Sequence, residues 1–364
     1  MFERSAAPRR RPGRRTRPEI SCSFTSPKNV LPIYHASGAS APVLPPACVT
    51  VSGKGNCMRF FMFLGCAAVL SAAQPNLVYK VAPNWPALPE GMKFEPVTGV
   101  ALDGAGRVWV LHRSKEHPVV CLDPVSGKVL ETWGKGLFGS PHGLTIDRHG
   151  NFWITDTDLH QVFRFNRDHK LTLTLGERGV AGADARHFNK PTATALSPKG
   201  DLFVADGYGN YRVVKFTADG KFIKEWGTKG DKPGQFDLPH SIAIDSGGHV
   251  YVADRNNARV QVFDTEGRFQ AEWKSKRLGR PWGVAVGPDG FIYVVDGGNA
   301  TREPTERNRA FRLNRNGQFL DEWGSFGKEP GQFFWAHAVA AGRDGAVYVA
   351  EVDQGSRVQK FVKQ

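Results

Sequence analysis

The chain has 364 residues and a formal net charge of +13, and its 41 glycines and 24 prolines favour many short strands joined by tight turns. The first 57 residues hold nine Lys and Arg against two acids, and the remainder holds 39 against 33, which is too weakly basic to predict a nucleic-acid-binding surface. Of the five cysteines only Cys121 lies beyond residue 73, which excludes a disulfide within the rest of the chain.

Two N-terminal segments differ from the remaining sequence. Residues 1–57 are rich in Arg and Pro and lack periodicity, so we expect disorder, or upstream sequence preceding a translation start at Met58. The alternative is a basic tail that binds nucleic acid or membrane. Residues 58–73 (MRFFMFLGCAAVLSAA) have the basic residue, apolar run and small-residue ending of a secretory signal peptide. They predict a secreted or periplasmic protein beginning at Gln74, and Cys66 is a weaker match to a lipid-anchor site.

Six similar units follow within residues 74–364. Each unit is a short apolar strand, a polar Gly turn, an alternating strand that ends near an acid, and two further strands. Four strands at a period of about 40 to 50 residues predict an all-β, six-bladed β-propeller. The sixth unit ends after its third strand, so Leu77–Val81 is predicted to add the missing outer strand and close the ring. The units start at Pro96, Pro141, Pro191, Pro239, Pro281 and Ala336.

Acids recur where the second strand of a unit ends. Because residues shared by most units answer to the fold, these acids are predicted to brace a turn rather than to react. They are Asp156, Asp206, Asp254, Asp296 and Glu351.

One repeat position carries histidine in alternate units. In a propeller this position lies on the innermost strand, so three imidazoles would surround the central channel at about 120° to one another. Three imidazoles with an open fourth position are typical of a catalytic metal site, and the ligand type favours zinc over iron or copper. The alternative, three unrelated core histidines, is disfavoured by the strict alternation. Around the ring the position reads Val97, His142, Thr192, His240, Trp282 and His337.

The loop between the second and third strands opens on the same face as these histidines. Here Arg113, Tyr208 and Arg255 depart from the repeat in units one, three and four. An arginine presents a planar fork that suits a substrate carboxylate. A tyrosine beside a divalent cation can have a lowered pKa and act as a base. In unit five this loop is longer, from Gly297 to Ala310, and is predicted to form either a lid or a solvated insertion.

These residues resemble a known family. The stretches PHGLTIDRHGNFWITDTDLHQVFRF, FVADGYGNYRVVKF and LPHSIAIDSGGHVYVADRNNARVQVF are similar to peptidyl-α-hydroxyglycine α-amidating lyases, and the units resemble NHL repeats. The resemblance implies cleavage of the C–N bond of a peptidyl-α-hydroxyglycine, or a similar carbinolamide, to an amide and glyoxylate. It implies a small-molecule or peptide substrate, and we expect a monomer with no membrane span and no nucleic-acid partner. The implied residues are zinc ligands His142, His240 and His337, catalytic Tyr208, and active-site Arg113 and Arg255.

The resemblance also implies a second metal. Family members bind calcium through backbone carbonyls at positions that match Val100 and Leu144, together with an acid directly after the third histidine. Ala338 stands at the position of that acid, which argues against calcium in this chain.

Two other functions are compatible with a propeller. A non-catalytic NHL-repeat protein that binds protein or RNA would not need the histidines, and its RNA affinity would depend on salt. The modest charge of residues 74–364 counts against it. A calcium-dependent lactonase-type hydrolase would need Asp, Asn and Glu ligands in the channel, whereas imidazoles are the wrong ligands for that hard cation.

Overall fold

A computed structural model of the protein describes residues 79–300 and 307–364. These two ranges form six four-stranded antiparallel sheets without any α-helix, which confirms the predicted six-bladed β-propeller. They also contain no helix with the length and apolar character needed to cross a bilayer. The predicted disordered segment (1–57) and signal peptide (58–73) lie outside the described residues.

Each blade runs from an inner strand beside the central channel to an outer strand at the rim. Blade one contains β2 (Val97–Leu102), β3 (Val108–His112), β4 (Val119–Leu122) and β5 (Val129–Trp133). Blade two contains β6 (Pro141–Ile146), β7 (Phe152–Asp156), β8 (Gln161–Phe165) and β9 (Leu171–Leu175). Blade three contains β10 (Ala193–Leu196), β11 (Leu202–Asp206), β12 (Arg212–Phe216) and β13 (Phe222–Trp226).

The second half of the ring repeats this order. Blade four contains β14 (Pro239–Ile244), β15 (Val250–Asp254), β16 (Arg259–Phe263) and β17 (Phe269–Lys274). Blade five contains β18 (Pro281–Val286), β19 (Ile292–Asp296), β20 (Arg309–Leu313) and β21 (Phe319–Trp323). Blade six contains β22 (Ala336–Ala341), β23 (Val347–Glu351) and β24 (Arg357–Lys363), and its outer strand is β1 (Tyr79–Val81).

The N-terminal strand closes the ring. β1 pairs antiparallel with β24, with Tyr79 opposite Lys363. The Tyr79 ring stacks on Trp323 of blade five at a centroid distance of 4.3 Å. Residues 79–81 of the predicted closing strand are thereby confirmed, and residues 77 and 78 lie outside the described ranges.

The core lies between neighbouring blades. All five residues of β7, β11, β15, β19 and β23 are buried, whereas the outer strand β13 alternates between exposed and partly buried residues. Large side chains such as Trp153 and Tyr251 are almost fully inaccessible, at 1% exposure each. Burial of one such side chain contributes roughly 1.5–3 kcal/mol, so the buried middle strands stabilise the ring.

The recurring acids brace the loops that lead into the inner strands, as predicted. Asp254 accepts the backbone N–H of Asp237 at 2.8 Å and the Nε of Arg259 at 2.8 Å. In blade one His112 takes the place of the acid, and its Nδ1 accepts the backbone N–H of Glu95 at 3.1 Å. The loops at this mouth of the channel are therefore fixed to the ends of the second strands.

The register of blade one corrects one prediction. Val97 pairs with His112 in the way that Pro141 pairs with Asp156, so Val97 corresponds to Pro141. Thr98, and not Val97, shares the ring position of the histidines. The prediction was wrong because the proline of blade one lies one residue before the strand, while the prolines of blades two, four and five begin it.

Candidate active site

The three alternate histidines meet on the channel axis. Each is the second residue of its inner strand, in β6, β14 and β22, and all three are buried. The Nε2 atoms of His142 and His337 lie 3.2 Å apart, and one ligand atom from each of the three rings lies within 4.8 Å of the others. The predicted cluster of His142, His240 and His337 is therefore present.

The opposite nitrogen of each ring is held by the next blade. Nδ1 of His142 lies 2.7 Å from the carbonyl oxygen of Thr192, and Nδ1 of His240 lies 2.6 Å from that of Trp282. Nδ1 of His337 lies 2.8 Å from the carbonyl oxygen of Thr98. Because a carbonyl only accepts, each Nδ1 carries the proton and each Nε2 presents a lone pair to the axis.

The environment keeps these imidazoles neutral. Burial lowers the pKa of His142 to about 3, with smaller contributions from the charges of Arg113 and Arg255. Burial and the neighbouring histidines hold the pKa of His240 and of His337 well below the ordinary value. Neutral imidazole is the form that binds metal ions.

The three histidines fit a metal ion. In a tetrahedral site with Zn–N bonds of about 2.0–2.1 Å, neighbouring nitrogens are about 3.3 Å apart, close to the 3.2 Å between His142 and His337. The backbone carbonyls that fix the Nδ1 atoms are the outer partners that metal-binding histidines usually have. The cluster can therefore hold a metal ion, with a position left for another ligand.

Tyr208 lies directly against this cluster. Its hydroxyl oxygen is 3.1 Å from Nε2 of His142 and 3.0 Å from Nε2 of His240. The residue as a whole is 38% exposed, so it borders the open mouth while its hydroxyl faces the histidines. Burial raises the pKa of Tyr208 above its ordinary value, and the charges of Arg255 and Arg113 offset only part of that rise.

The loop that carries Tyr208 is shaped by glycine. A Cβ on Gly207 would collide with the carbonyl oxygen of Pro239, and one on Gly209 would collide with the side chain of Asn189. The backbone on both sides of Tyr208 is thus packed against blades three and four, which sets the direction of the phenol.

Arg113 and Arg255 occupy equivalent positions in opposite blades. Each follows the residue that ends its second strand, and each donates its backbone N–H to the residue that precedes its inner strand. In a ring of six, blades one and four lie across the channel from each other. The structure therefore brings the two predicted arginines to the mouth above the histidines, where their charges act on His142 and His337.

The surroundings of the two guanidinium groups differ. The Cζ of Arg255 lies 3.5 Å from the ring centroid of Trp282. Burial lowers the pKa of Arg255, and the neighbouring Tyr208 raises it. By contrast, Nε of Arg113 is buried and has no hydrogen-bond partner among the described residues.

The channel continues beneath the histidines as a cavity of about 720 Å³. Val100 and Leu144 are in its wall, as is Ala338. The acids of the wall are Asp147 and Asp245, and both are engaged, since Asp147 accepts Trp153 Nε1 at 3.1 Å and Asp245 accepts the Tyr251 hydroxyl at 3.1 Å. The residues beside Val100 and Leu144 therefore do not fit a calcium site.

One residue of the site was not identified from the sequence, and one predicted part of the site is not described by the structure. Trp282 stands at the histidine position of blade five, but its sequence position alone did not show that it would lie under Arg255. The middle of the long loop in blade five, residues 301–306, lies outside the described residues, so whether this loop is a lid or a solvated insertion stays a prediction.

Known proteins resemble the chain over most of the propeller. The NHL repeat model matches residues 138–165, 188–216, 236–263 and 278–301. Peptidyl-alpha-hydroxyglycine alpha-amidating lyase 2 of Drosophila melanogaster is 34% identical over 321 residues, which cover 77% of this chain and 74% of that protein. Peptidyl-glycine alpha-amidating monooxygenase B of Xenopus laevis is 36% identical over 311 residues, 76% of this chain and 35% of that protein. The chain thus spans about a third of the length of this larger relative.

A solved structure supports the fold independently. A streptogramin B lyase structure aligns with a TM-score of 0.52 and 16% identity, covering 79% of this chain and 97% of that one. At this identity the similarity concerns the propeller architecture alone.

Proposed function

Because this chain belongs to the peptidyl-α-hydroxyglycine α-amidating lyase family, we propose that it is a zinc-dependent carbon–nitrogen lyase. Its substrate is a peptidyl-α-hydroxyglycine or a similar carbinolamide, and its products are an amide and glyoxylate. The observation that carries the proposal is the Tyr208 hydroxyl within 3.1 Å of two Nε2 atoms of the histidine cluster. A phenol in that position serves proton transfer, for which a purely binding propeller has no use.

Zinc is the metal proposed for His142, His240 and His337. Three neutral imidazoles that leave one position open are the ligand set of catalytic zinc sites. Zinc held by these residues would supply Lewis-acid polarisation of the carbinol oxygen of the substrate. The buried carbonyl partners of the Nδ1 atoms keep the three rings oriented for this task.

Tyr208 carries the proton in the proposed reaction. As its phenolate it takes the proton from the carbinol oxygen, the C–O bond becomes the C=O of glyoxylate, and the C–N bond breaks. The departing amide nitrogen then takes a proton, for which the Tyr208 hydroxyl is a suitably placed donor. The reaction is balanced without another reactant. Burial raises the pKa of Tyr208 overall, and the charges of Arg255 and Arg113 offset only part of that rise. A zinc ion held by the adjacent histidines would lower this pKa further and so favour the phenolate.

The two arginines are proposed to act differently. Arg113 has a buried Nε without a protein partner among the described residues, so its guanidinium is available to the carboxylate of the substrate. Arg255 is stacked on Trp282 and adjoins Tyr208, so its charge stabilises the negative charge that develops around the phenol and the carbinol oxygen.

The proposal is tested with the full chain and α-hydroxyhippurate as substrate. We expect stoichiometric zinc and release of glyoxylate by the wild-type protein. Tyr208→Phe should abolish most of the activity and keep the metal, and His240→Ala should lose both. A metal-free wild-type protein, or unchanged activity in both variants, would refute the lyase function and favour a non-catalytic propeller.

A further inference from the structure

We propose that Trp282 is a positioning residue that holds the Arg255 guanidinium beside Tyr208 and leaves its charge available to the substrate. The inference rests on the proposed function and adds a residue to it. Trp282 does not react and does not need to contact the reacting atoms, because it acts through Arg255.

The position of Trp282 in the repeat is the first support. It is the second residue of β18, where three other blades carry a metal-site histidine and two carry threonine. The indole is 4% exposed, so a bulky ring fills the channel wall at the level of the histidines. A Cβ on Gly297 would collide with this indole, so blade five combines the tryptophan with a glycine that makes room for it.

The indole is held in one orientation. Its Nε1 donates to the carbonyl oxygen of Gly298 at 3.0 Å. Its ring lies 5.8 Å from His240, 5.9 Å from His337 and 6.1 Å from Trp335, measured between centroids. A ring fixed by neighbours on several sides presents a rigid face to any group that stacks on it.

Arg255 occupies that face. Its Cζ is 3.5 Å from the Trp282 centroid, whereas the other cation–π contacts of the described residues are 4.5–5.5 Å long. A free arginine side chain has many rotamers, and stacking removes most of them. The contact therefore defines where the guanidinium lies in the mouth of the channel.

Arg259, which is also in blade four, shows how a carboxylate partner differs from the aromatic partner of Arg255. Arg259 is held by Asp254 at 2.8 Å and by Glu272 at 2.6 Å, and these carboxylates neutralise its charge. The described residues give Arg255 no such carboxylate partner. An aromatic face holds a cation without supplying a negative charge, so Arg255 keeps its full charge for Tyr208 and the substrate.

The side chain of Trp282 can be tested without disturbing the metal ligand. His240 is oriented by the backbone carbonyl of Trp282, which every substitution retains. Trp282→Phe keeps an aromatic face, and Trp282→Leu keeps an apolar side chain without one. We expect bound zinc to be unchanged in both. Trp282→Leu should lower kcat for glyoxylate release by roughly tenfold or more, with a smaller change in KM, and Trp282→Phe should retain most of the activity.

A double-mutant cycle shows whether Trp282 acts through Arg255. Arg255→Gln removes the charge, so the double variant Trp282→Leu/Arg255→Gln should be no less active than Arg255→Gln alone. Phe319→Leu is the matched control, since Phe319 lies under Arg277 at 4.5 Å and is not part of the site; kcat should be unchanged. Additive losses in the cycle, or loss of zinc from Trp282→Leu, would overturn the inference.

The same cycle measured on melting temperature needs no activity. If Trp282 and Arg255 stabilise each other, the melting temperatures of the two single variants should both fall, and the fall in the double variant should be smaller than their sum. An inactive wild-type protein with this non-additive pattern would refute the lyase function and retain the contact. An active wild-type protein with additive melting shifts would refute the role of Trp282 alone.

Discussion

The Nε2 atoms of His142 and His337 lie 3.2 Å apart, although Nδ1 of each ring is already committed to a backbone carbonyl. Two lone pairs therefore face each other in a buried site. Protonation does not relieve their repulsion at neutral pH, because burial lowers the pKa of both histidines. A bound cation would remove this repulsion, so we expect metal binding to stabilise the ring.

Removal of the metal should lower the thermal stability of the protein. At a free metal concentration one thousand times the dissociation constant, binding adds about 4 kcal/mol to the free energy of unfolding, so chelation should lower the melting temperature by roughly 10 °C. His240→Ala should melt at the chelated temperature and bind no metal. His149→Ala, which changes an exposed turn histidine, is the control and should behave as wild type. Equal melting temperatures with and without chelator would contradict the prediction.

Replacement of Tyr208 by phenylalanine should separate catalysis from metal binding. The substitution removes the hydroxyl that lies 3.1 Å and 3.0 Å from the Nε2 atoms and leaves all three histidines in place. We expect kcat to fall by roughly 10²- to 10⁴-fold, with zinc content unchanged by elemental analysis. Tyr211→Phe in the same loop is the matched control, and its activity should equal that of wild type. A Tyr208→Phe variant with near-normal kcat would exclude Tyr208 as the proton carrier.

Closure of the ring should depend on Tyr79. Tyr79 is 5% exposed, and its ring stacks on Trp323. This contact links β1, the outer strand of blade six, to blade five. Tyr79→Ala should lower the free energy of unfolding by about 3 kcal/mol, measured by urea denaturation. Lys80→Ala on the exposed side of the same strand should change it little. Equal losses in the two variants would show that β1 contributes through its backbone pairing alone.

The sequence contains enough information for the fold because each blade repeats the same pattern of strands, turns and acids. A comparison of the six residues at one repeat position also distinguished the three histidines from residues that serve the fold. Arg113, Tyr208 and Arg255 were identified because they depart from the repeat. The same reasoning failed for Val97, since it aligned blades by their prolines, whereas strand pairing places Thr98 at the ring position. A register of one residue is set by which backbone groups pair, and blade one carries threonine instead of histidine at the ring position.

The contact between Trp282 and Arg255 is beyond sequence reasoning for a different reason. The two residues belong to adjacent blades, and the angle between blades decides whether the guanidinium reaches the indole. The carbonyl partners of the Nδ1 atoms likewise come from the next blade in every case. Periodicity predicts which residues share a position, but it does not predict contacts that depend on how blades tilt against each other.

Calcium should have no effect on the wild-type protein. Ala338 packs against the apolar cluster that contains Val100, and it offers no carboxylate to an ion held by backbone carbonyls. Addition of calcium to the zinc-loaded protein should leave melting temperature and activity unchanged. Ala338→Asp should introduce a calcium-dependent rise in melting temperature, whereas Ala341→Asp at the other end of β22 should not. A calcium-dependent shift in wild type would show that backbone carbonyls suffice for the site.

Acid should destabilise the propeller partly through His112, which takes the place of an acid in blade one. Burial lowers the pKa of His112 to about 4 from 6.5. Below pH 6.5 the unfolded chain therefore binds a proton that the folded chain excludes, so stability falls as the pH drops from 6.5 to about 4 and is unaffected above 6.5. The loss attributable to this residue is about 3 kcal/mol over that interval.

His112→Asn isolates this contribution, since the amide oxygen can still accept the backbone N–H of Glu95. Free energies of unfolding measured in urea at pH 7, 6 and 5 should fall less steeply in the variant than in wild type. The metal-site histidines are common to both proteins, so their effect on the pH dependence cancels in the difference between the two slopes. His149→Asn, at an exposed position in a turn, is the matched control. Identical slopes for wild type and His112→Asn would mean that His112 titrates at an ordinary pKa, and that its neutral ring is not what braces the loop into blade one.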